Sequence, residues 1–213
     1  MPELPEVETI KRELCSAVIG KTVSRVVIYN AKVIRQPRPE QFARALIGAT
    51  IKNIERKGKL LIFELSNAQA LCIHLKMTGQ LIYPGGSSNA RVRFQFSDGT
   101  ALDFNDRRLF AELRLVSDWK KLPFVQSLGP EPFDISFAQF KALLAGRKTK
   151  IKPLIMDQTI LAGIGNLYAA EALFRSRMYP GRSACDIVEK DARTLFEEIK
   201  STLREAIRSK GSS

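Results

Sequence analysis

The chain has 213 residues, enough for one large domain or two small ones with a real core. Hydrophobic residues make up 45% and charged residues 26%, an ordinary globular balance, and no apolar run approaches the roughly 20 residues that a bilayer helix needs. Lys and Arg number 34 against 22 Asp and Glu, a formal charge of +12 that points to a polyanionic partner, usually nucleic acid, with a basic solubilising surface or a ribosome-associated scaffold as the alternative.

The chain opens on "MPELPEVE", stiff and acidic where the rest is basic, and without the basic stretch and apolar core of a signal peptide. From Glu6 to Val18 the apolar residues Val7, Ile10, Leu14 and Val18 recur at helical spacing, with Pro5 suited to a first turn and Gly20 to the end. From Thr22 to about Val116 the period changes to two. "KTVSRVVIY", "ATIKNIE", "KLLIFEL", "ALCIHLKM", "RVRFQF" and "TALDF" predict short strands, and "SDGT" a hairpin turn, which together suggest an antiparallel sandwich or barrel. Beyond "LGPEPFD" the pattern becomes helical over Ser136–Ala145, Ile151–Met156, Asn166–Arg177 and Ile187–Arg208. The change falls near residues 120–135 and is taken as a β-rich domain 1–130 and a helical domain 131–213. "KALLAGRKTKIK" carries five basic residues, Lys141, Arg147, Lys148, Lys150 and Lys152, and no acid, a strip able to face phosphates. Cys15, Cys72 and Cys185 are odd in number and widely spaced, which fits a reducing cytosol better than a disulfide framework or zinc knuckle.

Loss of the initiator Met1 would leave Pro2 with a secondary amine. Terminal amines titrate near 7.7–8.0, so a useful fraction is neutral and nucleophilic at neutral pH, and the adjacent Glu3 could move a proton. On residue chemistry alone the same stretch reads first as an acidic cap for a helix N-terminus, with the reactive amine as the alternative. His74 is the only histidine. Strict alternation would put Ile73, Leu75 and Met77 on one strand face and Cys72, His74 and Lys76 on the other, in either a structural or a ligand-binding role.

"MPELPEVETI" resembles the N-terminal signature of the formamidopyrimidine-DNA glycosylases, bacterial enzymes that remove oxidised purines from DNA. "RKGKLLIFEL", "IHLKMTGQL", "DRRLFAELRL", "LGPEP" and "IKPLIMDQTILAGIGNLYAAEALF" resemble further segments of that family in its order, so the resemblance covers almost the whole chain. It implies an α+β fold: an N-terminal helix plus an antiparallel β-sandwich, followed by an α-helical helix-two-turn-helix domain. It further implies a glycosylase with abasic-site lyase activity, in which Pro2 attacks C1′ of the lesion, forms a Schiff base and drives β,δ-elimination. Glu3 is then the proton partner and Lys59 the essential β-strand lysine. His74, Lys152 and Asn166 contact DNA phosphates, and Met77, Arg108 and Phe110 fill the void left by the flipped base, a role suited to a thioether, a guanidinium and a ring. Gly163 and Gly165 would allow a tight approach at the helix junction. Ala111 departs from the family's commoner glycine.

The implied partner is double-stranded DNA bearing oxidised bases or abasic sites, met by a monomer in the bacterial cytoplasm, at the nucleoid, with no membrane association. The related scaffold for oxidised pyrimidines, endonuclease VIII, and a non-catalytic DNA-binding form are the alternatives. The family's C-terminal four-cysteine zinc finger needs CxxC pairs that this sequence lacks, so no metal or other cofactor is expected in this chain. Weakened DNA binding and impaired excision are expected with it. A retained Met1 would acylate Pro2 and block its chemistry.

Overall fold

The computed structural model describes residues 2–211, so the fate of Met1 lies outside the described residues. Two compact units emerge. One comprises Val7–Leu122 with Pro2, and the other comprises Pro123 onward with Glu3–Glu6.

Helix α1 (Leu4–Val18) lies in the first unit from Val7 onward, and Gly20, at φ +84°, ends the turn after it. Strands β1 (Val23–Ile28) and β2 (Ile34–Gln36), helix α2 (Pro39–Leu46), and strands β3 (Ile51–Lys57), β4 (Leu60–Leu65), β5 (Ala70–His74), β6 (Gly79–Ile82), β7 (Ala90–Phe96), β8 (Ala101–Asp106) and β9 (Glu112–Val116) follow. They form a four-stranded sheet, β1-β7-β8-β6, and a five-stranded sheet, β2-β9-β5-β4-β3. Pairing is antiparallel except for β2, which runs parallel to β9 with Ile34 opposite Leu113. In β7 the alternation is complete, with Ala90, Val92, Phe94 and Phe96 buried. Val92, Phe94 and Phe96 meet Leu61, Phe63, Ile73 and Leu113 of the other sheet in one core, to which α1 adds Val7, Leu14 and Val18. Helix α2 interrupts the stretch expected to be all strand. Pro39 occupies its first turn, and Phe42 packs against Phe94 with ring centroids 6.4 Å apart.

The second unit contains α3 (Pro123–Gln126), α4 (Phe137–Leu144), α5 (Ile151–Met156), α6 (Asn166–Arg175) and α7 (Glu189–Arg208). Ser136 and Gln139 form a capping box at the start of α4. Along α7, Ala192, Leu195, Phe196, Ile199 and Leu203 recur at helical spacing and are buried against Phe140, Leu154, Tyr168 and Leu173. The division at Leu122/Pro123 precedes the expected 130/131. The reason is that the turn after α3 is tied into the helical unit: Gly129 donates to the Gln158 carbonyl and Ala162 to that of Pro130. Nor is the first unit continuous in sequence, because Glu3–Glu6 group with the helices. None of the described helices is long and apolar enough to cross a membrane.

Candidate active site and nucleic-acid interface

In the first unit, Pro2 lies on the wall of a cavity of about 510 Å³ that is also lined by Met77, Thr78, Gln80, Asn105 and Arg107. Met77 does not point into the sheet core, as strict alternation predicts. Strand β5 ends at His74, and Lys76 adopts φ +51°, which turns the chain and leaves Met77 43% exposed while Leu75 stays buried. The other two members of the expected void-filling set, Arg108 and Phe110, sit on the loop between β8 and β9. The Arg108 guanidinium lies 4.7 Å from the centre of the Phe110 ring, and Phe110 is 49% exposed.

Asp106 organises that loop. It is buried, and its carboxylate accepts from the Thr78 hydroxyl and from the backbone N–H groups of Arg108 (3.1 Å) and Ala111 (2.7 Å). Burial alone would raise its pKa. The donors of Thr78, Ala111, Arg108 and Phe110 outweigh burial and hold it below the usual carboxylate value. Leu109, at φ +58°, takes the left-handed position of the loop. Ala111 therefore fits as well as a glycine would, fully buried with its N–H paired.

Lys59 is not on a strand. Strands β3 and β4 are joined by a two-residue turn, Gly58–Lys59, with Gly58 at φ +57° and Lys57 paired with Leu60. The turn breaks the alternation that would put Lys57 and Lys59 on one side, and it leaves Lys59 9% exposed. Leu60 pairs with His74, which brings the turn close to the imidazole. His74 Nδ1 accepts from the Lys76 N–H at 3.1 Å, so the proton of the neutral ring is on Nε2, free to be offered to an anion. Burial pushes the His74 pKa down to about 4, and the positive charges of Lys76 and Lys59 push the same way against Glu112.

In the second unit Glu3 is 2% exposed. Its Oε2 accepts from the Gly165 N–H at 2.6 Å and its Oε1 from the Leu167 N–H at 2.9 Å, which places the carboxylate at the positive end of α6. Gly165 caps α6. Asn166 is therefore the first residue of the helix rather than its cap, with its side chain exposed. The two glycines make room for the chain's own N-terminal segment. A Cβ at Gly165 would meet the Glu3 carboxylate, and one at Gly163, already at φ +98°, would lie 2.5 Å from Leu4 Cδ1. Gln158 braces the turn, accepting from the Gly163 N–H and donating to the carbonyls of Met156 and Ile164. Glu6 accepts from the Tyr168 hydroxyl and, at 2.9 Å, from the Glu3 N–H.

Sequence reasoning passed over Glu6, Gln158 and Asp106. An aspartate leading into a tight, charged turn was the available signal for Asp106, whereas nothing local marked the other two. Lys152 is half-buried on α5 with its N–H on the Pro180 carbonyl. Of the basic strip, Lys141 is engaged by Glu189, while Arg147, Lys148 and Lys150 are exposed. Cys15 lies in α1, Cys72 is buried in β5 and Cys185 is exposed. Among the described residues no three His, Cys, Asp or Glu side chains gather to hold a metal ion.

The family model described as the formamidopyrimidine-DNA glycosylase N-terminal domain matches residues 1–113, and that of the formamidopyrimidine-DNA glycosylase H2TH domain matches residues 128–213. The chain is 39% identical over 221 residues to the formamidopyrimidine-DNA glycosylase of Moorella thermoacetica, covering 100% of this chain and 81% of the relative. To that of Geobacillus kaustophilus it is 41% identical over 223 residues, covering 100% and 80%. Among solved structures, the Lactococcus lactis FPG (MutM) bound to a Fapy-dG containing DNA superposes with a TM-score of 0.91 at 32% identity, covering 99% of this chain and 82% of that one. The MutM (FPG) protein from Thermus thermophilus gives 0.88 at 36% identity, covering 100% and 78%. Two domain models matched in order, together with identity of this level over the whole chain, carry one conclusion: the chain belongs to the formamidopyrimidine-DNA glycosylase family of base-excision repair enzymes.

Proposed function

We propose that the chain, once Met1 is removed, excises oxidised purines (8-oxoguanine and formamidopyrimidines) from double-stranded DNA and cuts the strand at the resulting site. The observation that carries this reading is Pro2 on the wall of a polar cavity, directly followed in sequence by a carboxylate that two backbone donors hold in one orientation.

The secondary amine of Pro2 attacks C1′ of the damaged nucleoside. The C1′–N bond to the base breaks, the base leaves with a proton and the amine gives up its own; the C1′–O4′ bond then breaks, O4′ takes up a proton, and the opened sugar is held as an iminium. Glu3 has no freedom to swing away and is the nearest acid/base in sequence. The iminium acidifies the C2′ protons, so β-elimination and then δ-elimination release the phosphates on either side of the sugar. Every step uses groups of the chain, and no metal or other cofactor is part of this proposal. Met77, Arg108 and Phe110 enter the stack when the base flips out. The exposure of Met77 and Phe110 favours that role over a core one. His74 Nε2, Lys59, Lys152 and Asn166 meet phosphates, with the net +12 charge assisting association. The setting is the bacterial cytoplasm, at the nucleoid, with the chain acting as a monomer.

Borohydride trapping tests the reading. The mature chain should become covalently linked to duplexes containing 8-oxoguanine or an abasic site. Failure to trap on an abasic duplex, with mass spectrometry showing an N-terminal proline, would leave only DNA binding. Preferential trapping on an oxidised pyrimidine would move the substrate to the endonuclease VIII class.

A further inference from the structure

Arg56 is the last residue but one of β3 and its side chain is 11% exposed, as is that of Glu8 on α1. Its Nε donates to Glu8 Oε2 at 2.9 Å, and its Nη1 donates to the Gly58 carbonyl at 3.0 Å. Glu8 Oε1 in turn accepts from Arg12 Nε at 2.8 Å. Burial raises the Glu8 pKa, but the hydrogen bonds and charges of Arg56 and Arg12 outweigh it, and the carboxylate is held ionised. A buried pair of this kind costs desolvation and is weak support for stability by itself, so its geometry is the more informative feature.

That geometry bears on Lys59. The carbonyl of Gly58 and the N–H of Lys59 belong to a single rigid peptide plane. Gly58 sits in the left-handed region and, lacking a Cβ, can reach other turn conformations in which this plane is rotated. Holding the carbonyl therefore fixes the direction in which the Lys59 side chain leaves the turn. Arginine suits the task because its planar fork can hold an acid with one nitrogen and a carbonyl with another.

We propose that Glu8 and Arg56 are positioning residues that set the Gly58–Lys59 peptide, and through it Lys59, for the reaction. This rests on the role of Lys59 in the function proposed above. Arg56→Lys keeps the charge opposite Glu8 but offers one nitrogen in place of a fork. It should lower single-turnover excision of 8-oxoguanine about tenfold, a displacement of well under 1 Å being enough for that, with a smaller loss on abasic duplexes. Glu8→Gln should behave in the same way. In a Lys59→Ala background neither substitution should cost anything further. Equal losses in both backgrounds would make the network a plain scaffold clamp and overturn the proposal. The Lys59 backbone amide resonance supplies a readout independent of activity: it should shift in Arg56→Lys, whose melting temperature confirms that it is folded. An unchanged resonance would overturn the positioning role. An inactive wild-type chain whose Lys59 amide still shifts would instead count against the functional reading alone.

Discussion

Replacing Gly165 with alanine tests whether the position of Glu3 matters. The backbone at Gly165 has φ −127°, an extended value open to any residue, so the substitution carries no conformational penalty of its own. Its entire effect is steric. The new Cβ would lie 2.5 Å from Glu3 Oε1 and 2.8 Å from Oε2, distances no real contact of this kind adopts. The carboxylate is the far end of a flexible side chain and would move, giving up the N–H groups of Gly165 and Leu167. Charged hydrogen bonds contribute about 1.5–3 kcal/mol each, so losing both costs up to roughly 3–6 kcal/mol, reduced by about 0.4–1 kcal/mol because alanine restricts the unfolded chain.

Calorimetry should show the resulting loss as a melting point lowered by several degrees. If Glu3 is the proton partner of Pro2, trapping on an abasic duplex should slow by about 10²-fold or more, the usual contribution of a positioned acid/base. A Glu3→Ala background separates the two effects. Without the carboxylate there is room for the methyl group, and Gly165→Ala should become nearly neutral for both stability and rate. An undiminished stability cost in that background would refute the steric reasoning. Wild-type trapping by Gly165→Ala would refute the need for a fixed carboxylate.

Lys59→Ala should reduce excision of 8-oxoguanine more than abasic lyase action, and equal loss of both would remove its assignment to the lesion. Phe110→Ala should slow base excision about tenfold or more while shifting the melting temperature little, because the side chain is exposed and stacks with the Arg108 guanidinium of its own loop; stopped-flow fluorescence of 2-aminopurine beside the lesion would report the flipping step. The His74 pKa falls from 6.5 to about 4 in the folded chain, so on acidification the unfolded state takes up the proton first. Stability fully present above pH 6.5 is therefore lost as the pH falls toward 4, by at most about 3 kcal/mol. Urea melts at pH 7 and pH 5 should show a smaller drop for His74→Gln than for wild type; identical drops would remove His74 as the source.

The parts of the fold that could be read from sequence are those in which a residue's fate depends on near neighbours. Inward-facing Val92, Phe94 and Phe96 follow from the pleat, and Leu195, Phe196, Ile199 and Leu203 follow from the helical turn. Helix α2 was not legible because eight residues make a weak periodic signal and its anchor, Phe42, is defined by Phe94 on a strand far along the chain. Alternation also failed wherever one residue left the β region. Gly58 at φ +57° moved Lys59 from strand to turn, and Lys76 at φ +51° turned Met77 outward. Both departures reposition residues that the proposed function uses.

The N-terminal segment shows why the remainder needed three dimensions. "PEL" reads as an acidic cap, and "GIG" as a glycine-rich helix start open to a phosphate. Each reading is physically reasonable, and each identifies half of one arrangement. The cap's carboxylate belongs to α6, whose first residue lies far along the chain from Glu3, and the helix N-terminus already holds an anion, the Glu3 side chain itself. Leu4 occupies the space that Gly163 leaves, and its N–H donates to the Gly163 carbonyl at 3.0 Å. The glycines are thus explained by what the chain's own start must fit rather than by the approach of DNA. Pro2 is the residue just outside this lock. Residues 3 and 4 are held by side-chain and backbone contacts, so in the function proposed above the Pro2 amine attacks from a short stem and loses little freedom in doing so.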